Sequence, residues 1–178
     1  MRSFDLTKSL VIDDLHTIYL GVVKKILQIS ISKKIFGCKE KFDVIDEELA
    51  ANRGVSEISA ISGLQSISDW KGKQFMSWLL YHGLPFLIEY APTRYVENFT
   101  FLQNAIYNFS LHNFSNMTHQ QAIENIEKFL ETFSTLFGEE NFGPNVHELY
   151  HLGDTVRWSG QLYCNSTFHF ERINFILR

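Results

Sequence analysis

Four residues at the two ends of this chain have the types and spacings of a metal site. Asp13 and His16 stand three apart near the start, and His147 and His151 stand four apart near the end. On a helix, either spacing brings two side chains onto one face. Two such pairs make a complete tetrahedral set of one carboxylate and three imidazoles, which suits zinc. Four protein ligands leave no position for water, so the expected role is structural. The simpler reading of the first pair is that Asp13 is an N-cap and His16 a satisfied, partly buried histidine.

The second pair also supports a different chemistry. Residues 147–151 read His-Glu-Leu-Tyr-His, the H-E-x-x-H pattern of zinc metallopeptidases. Glu171 follows at the distance of the third ligand in the thermolysin-like branch, and Glu148 would be the general base on a zinc-bound water. The context disfavours this. Pro144 lies three residues before His147, so the motif falls in the first turn of its helix. No strand-rich substrate lobe is predicted upstream.

The elements that must carry these residues are predicted to be helical. Leu15, Ile18, Tyr19, Val22, Val23, Ile26 and Leu27 recur at three- and four-residue steps and predict a helix over 13–30, capped by Asp13 or Asp14. A short helix is expected near 43–51, then a long loop from Arg53 to Ser68. Apolar periodicity from Trp70 to Tyr90 predicts a helix that Pro85 kinks or divides. A further helix covers 93–111 after Pro92, capped by Thr93. Another runs over 119–137, capped by Thr118 and stopped by Gly138. Pro144 and Asn145 open a helix bearing both histidines. A last apolar segment, Phe168 to Leu177, is expected to be helical with Glu171 in its first turns.

Composition narrows the function classes. At 178 residues with 16 Phe and three Trp, the chain fits one domain with an aromatic-rich core. A net charge of −4 gives no overall footprint for nucleic acid, and Lys24–Lys25 and Lys33–Lys34 read as solvated helix faces. Cys38 and Cys164 form no C-x-x-C spacing or disulfide framework, which suits a reducing compartment. No signal peptide or membrane-length apolar run is visible, so the sequence reads as intracellular and soluble, and its five N-x-S/T sequons carry no weight.

The ordered landmarks resemble a known family. The run Ile12-Asp13-Asp14-Leu15-His16-Thr17-Ile18-Tyr19-Leu20-Gly21-Val22-Val23-Lys24-Lys25 is similar to the "D-x-M-H…L-G-V-x-K" segment of CACTA-type DNA transposases, the animal transposon-derived group most of all. Trp70-Lys71 with Leu79-Leu80-Tyr81, Asn145-Val146-His147 with His151-Leu152, and Ser166 to Asn174 follow in the family's order. The resemblance spans essentially the whole chain. It implies a ribonuclease-H-like catalytic domain in which two Asp and one Glu hold two divalent ions, Mg2+ or Mn2+, for DNA strand cleavage and transfer. An all-helical insertion separates the second Asp from the Glu.

By this similarity Glu171 corresponds to the third carboxylate, Asp13 and His16 to the D-x-x-H motif, and His147 and His151 to the downstream histidine pair. The related recombinase of antigen-receptor gene assembly closes a zinc site at comparable places with two cysteines and two histidines. The resemblance thus implies a mostly helical chain: a helical insertion domain and the C-terminal helical edge of a ribonuclease-H-like core, without the strands bearing the first two Asp. Within a single unit, residues 1–30 hold the D-x-x-H helix and 31–69 an irregular stretch. Residues 70–142 form the insertion, and 143–178 hold the H-x-x-x-H and Glu-bearing helices. The implied setting is the nucleus. DNA is the partner through an intact protein, with a homo-oligomer left open and neither membrane nor small-molecule cofactor expected. With one of three metal-holding carboxylates, this chain alone is expected to be catalytically inactive. A metallopeptidase and a non-catalytic helical interaction module are the alternatives from other classes.

Overall fold

The computed structural model describes residues 11–37, 40–51, 61–111 and 115–168, and these are mostly helical, with no strand among them. Asp14–Val23 is wound as a π helix and runs directly into α1, Lys24–Ser32. The first of these buries Leu15, Thr17, Ile18, Tyr19, Val22 and Val23, so it is apolar nearly all round and lies inside the molecule. α2 spans Glu40–Ala51, beginning three residues before the expected start.

The expected loop over 53–68 is ordered in its second half. Leu64–Asp69 forms a 3-10 helix, while residues 52–60 lie outside the described region. The reason is long-range: the Asp46 carboxylate on α2 accepts from Leu64 N (2.5 Å) and Gln65 N (3.3 Å), capping the turn's free amides. Gly63 makes the approach possible, since a Cβ there would lie 2.6 Å from Asp46 Cγ and its φ is +83°.

The Trp70–Tyr90 expectation resolves into α3 (Gly72–Ser77), a π turn (Trp78–His82) and α4 (Gly83–Tyr90), without a break between them. Pro85 has no N–H and its ring excludes a carbonyl four residues back. The chain answers with the wider turn just before it, in which Gly83 N–H donates to Trp78 O, five residues earlier. α5 is Thr93–Ser110, with Pro92 rather than Thr93 in the cap position. α6 is Asn116–Phe137. Its cap is Ser115, whose hydroxyl accepts from Thr118 N at 3.0 Å; Thr118 was the expected cap. Gly138, at φ +102°, stops the helix as expected.

α5 and α6 pack side by side as the longest helix pair. Buried Asn98 on α5 donates to Phe129 O and Thr132 Oγ1 on α6. Phe129, Phe133 and Phe137 stack edge and tilted along α6, continuing to Phe142. A second aromatic group, Trp70, Trp78, Phe86 and Phe36, fills the space beneath α3 and α4. No described helix is long and apolar enough to cross a membrane.

The last part departs most from expectation. Instead of one helix carrying both histidines, α7 (Pro144–Glu148) gives way to a 3-10 turn (Leu149–His151) and then α8 (Leu152–Ser159). Val146, Leu149 and Leu152 are buried at three-residue steps. That is the period of a 3-10 helix, so tightening the turn stacks all three onto the core.

Candidate functional site around Asp13, Glu148 and His151

Asp13 closes the N-terminus of the π helix. Its carboxylate accepts from Leu15 N (3.4 Å) and His16 N (3.2 Å) and meets His16 Nδ1 at 2.5 Å. It also receives Thr167 N at 3.0 Å and Thr167 Oγ1 at 2.8 Å, across 154 positions of sequence. Partial burial pushes this carboxyl upward. The bonds from His16 and Thr167 outweigh that and hold it below the usual carboxylate range. Asp14 is the reverse case. It is buried, one carboxylate oxygen has no hydrogen-bond partner, and burial raises it above the usual range despite a bond from Ser166.

The π helix and α7 adjoin. Gly21 permits this contact: a Cβ there would sit 2.4 Å from the Asn145 side-chain nitrogen. Thr17 Oγ1 donates to Glu148 at 2.8 Å, tying the first helix to the H-E-x-x-H segment. Asp13, Thr17, Glu148 and His151 all line one cavity of about 690 Å³, with Asp154 and Trp158 of α8 on its far wall.

The structure therefore brings together the segments that hold the expected ligands, but not the ligands as a set. His147 and His151 are exposed, with ring centroids 5.6 Å apart, close enough to share an ion. Asp13 and His16 are occupied with each other. Among the described residues no three His, Cys, Asp or Glu side chains gather as a metal-holding group. In this arrangement the Asp13 oxygens are engaged by the helix terminus and by Thr167, and Asp13, His16, His147 and His151 are not drawn together as one set. The simpler reading of Asp13 as an N-cap is the observed one. His16, whose side chain is 61% exposed, is not the partly buried histidine that reading included.

The H-E-x-x-H segment crosses from α-helix to 3-10 turn, and Glu148 is held toward Thr17. Glu171 and His169 lie outside the described residues, as do the segment Phe168–Leu177 beyond its first residue and Cys38; Cys164 is exposed with a free thiol. His119 packs edge-on against Phe109, where burial lowers its pKa.

Four contributors escaped the sequence reading: Thr17, Thr167, Asp154 and Trp158. Thr17 and Thr167 sit inside the quoted landmarks, and their adjacency to Asp13 and Glu171 in sequence was the available signal. Asp154 and Trp158 had none. The chain matches no family model, no characterised protein and no solved structure.

Proposed function

We propose that the chain corresponds to the helical insertion and C-terminal edge of the catalytic region of a CACTA-type DNA transposase, a nuclear protein whose ancestral chemistry is DNA strand cleavage and transfer. One observation supports this reading most. Three landmarks of the resemblance, far apart in sequence, meet at one place: Thr17 binds Glu148, and Thr167 binds Asp13.

Under this reading Glu171 is the third carboxylate, and Mg2+ or Mn2+ at the complete set would stabilise charge on the attacking and leaving oxygens of a phosphodiester. Asp13 and Thr167 position the segment that leads to Glu171. A two-metal centre needs more than one carboxylate, so under this reading Glu171 acts only together with the two Asp of the family's set. Reading the genomic sequence 5′ of the Met1 codon provides the test. A coding stretch with two Asp in apolar strands supports the proposal; a region with no such stretch in any frame overturns it.

The structural zinc belongs to the same proposal, as the state that would form if Asp13 released Thr167 and the two pairs closed on one ion. Elemental analysis of the purified chain decides it. About one zinc per chain supports that state, and its absence removes the zinc while leaving the DNA reading to the genomic test.

A further inference from the structure

Lys33, at the end of α1, is more than a solvated charge. Its ammonium donates to Phe137 O at 2.9 Å and to Leu136 O at 3.4 Å, across 104 and 103 positions of sequence. These are the last two carbonyls of α6, among the groups a helix leaves without internal partners. A cation placed there also meets the negative end of the helix dipole. The turn that delivers the lysine is fixed. Ile35 N donates to Ser30 O at 2.9 Å and Lys34 N to Ile31 O at 3.1 Å, the paired bonds of a helix ending in which Lys34, at φ +55°, takes the place usual for glycine.

From Phe137 the hydrogen bonds continue toward the histidines. Asn141 Nδ2 donates to Phe137 O at 2.9 Å, so one carbonyl joins Lys33 to the corner that follows α6. Gly143 N donates to Asn141 O at 2.9 Å, closing an inverse γ-turn at Phe142 (φ −77°, ψ +70°). His147 N then donates to Gly143 O at 3.1 Å. We propose that Lys33 is a positioning residue: by holding the last carbonyls of α6 it fixes the 138–143 corner and, through it, the segment that presents His147 and His151. The first bond of the run is charge-assisted, which makes it stronger than the neutral bonds after it, and bonds in a chain reinforce one another. The end it grips is itself anchored, since α6 is tied to α5 through Asn98. This inference is independent of the transposase reading and of whether the histidine pair holds a metal.

Amide hydrogen exchange of the full chain, read residue by residue by NMR, tests it. Lys33→Met keeps the length of the stem and removes the charge and the donors. Exchange at Gly143 and His147 is expected to rise about tenfold or more, as fits the loss of a hydrogen bond from a charged group, while the amides of α5 stay at wild-type rates. Lys33→Arg should restore protection at both positions. A lysine that merely caps α6 would raise exchange at Gly138 and no further along the chain. Asn141→Ala breaks the middle of the run without touching Lys33, and decides the matter alone if Lys33→Met does not fold. It should expose Gly143 and His147 and leave Gly138 protected. Changes that stop at Gly138 in Lys33→Met, equal acceleration throughout α5, no recovery in Lys33→Arg, or unaltered protection of Gly143 and His147 in Asn141→Ala would each overturn the proposal.

Discussion

Asp13 does three things with one carboxylate: it ends a helix, orients His16 and latches Thr167. Losing a cap costs about 0.5–2 kcal/mol and a further hydrogen bond about 1 kcal/mol, so Asp13→Ala should lower stability by roughly 2 kcal/mol in urea melts at neutral pH. Its folded pKa lies below the unfolded one. The contribution is therefore complete above the ordinary carboxylate value of about 4 and is lost as pH falls through the folded value. The difference between wild type and Asp13→Ala should narrow in acid, and a gap that stays constant down to strongly acidic pH would contradict the assignment. Asp14 next to it has the opposite sign. Its raised folded pKa means that folding penalises the ionised form, a penalty present at neutral pH and gone below the ordinary value. Asp14→Asn should raise Tm at pH 7 and lose that advantage below about pH 4. A variant less stable than wild type at pH 7 would show that the charge itself is needed.

At the scale of elements, the contact between the π helix and α7 depends on a missing side chain. Gly21 faces Asn145 so closely that a methyl group would overlap it. Overpacking of this kind typically costs about 1–3 kcal/mol. Gly21→Ala is expected to fall in that range; because its Cβ would also lie 2.8 Å from the backbone oxygen of His16, combining it with Asn145→Gly should recover part of the loss and not all of it. Full recovery, or none at all, measured by thermal melting, would place the strain elsewhere. π-helical winding is rare and concentrates at functional sites. Its presence over Asp14–Val23, directly after the Asp13 latch and beside the cavity, agrees with a segment selected for position as well as packing.

For the whole molecule, the exposed histidine pair separates the candidate functions. His147 and His151 contribute little buried surface, so a variant lacking one ring should melt within about 0.5 kcal/mol of wild type if no metal is bound. A metal closed by these rings is folding free energy, and chelator or His151→Ala would then lower Tm clearly. Peptide cleavage tests the remaining chemistry. Because Glu148 is turned to Thr17 in a segment that changes helix type, no zinc-dependent cleavage is expected. Cleavage present in wild type and lost in Glu148→Gln would replace the DNA reading with a peptidase.

The apolar periodicity of this chain was enough to specify its helical class and most helix bodies. Positions such as Ile18, Leu102 and Phe133 must leave water whatever their neighbours. Gly138 and Pro92 were legible as boundaries because their backbone restrictions are local. Asp13, His16, His147 and His151 could be singled out as candidates by type and spacing, while Thr17, Thr167, Asp154 and Trp158 could not. Nor could their arrangement. Whether Asp13 serves as a ligand or a latch depends on Thr167, and whether 64–69 is a loop or a turn depends on Asp46. Whether the H-x-x-x-H segment is one helix or three pieces depends on stacking Val146, Leu149 and Leu152 against the core. Each of these outcomes rests on hydrogen bonds or packing between residues distant in sequence. Such interactions leave no period along the chain, so only the tertiary structure decides them.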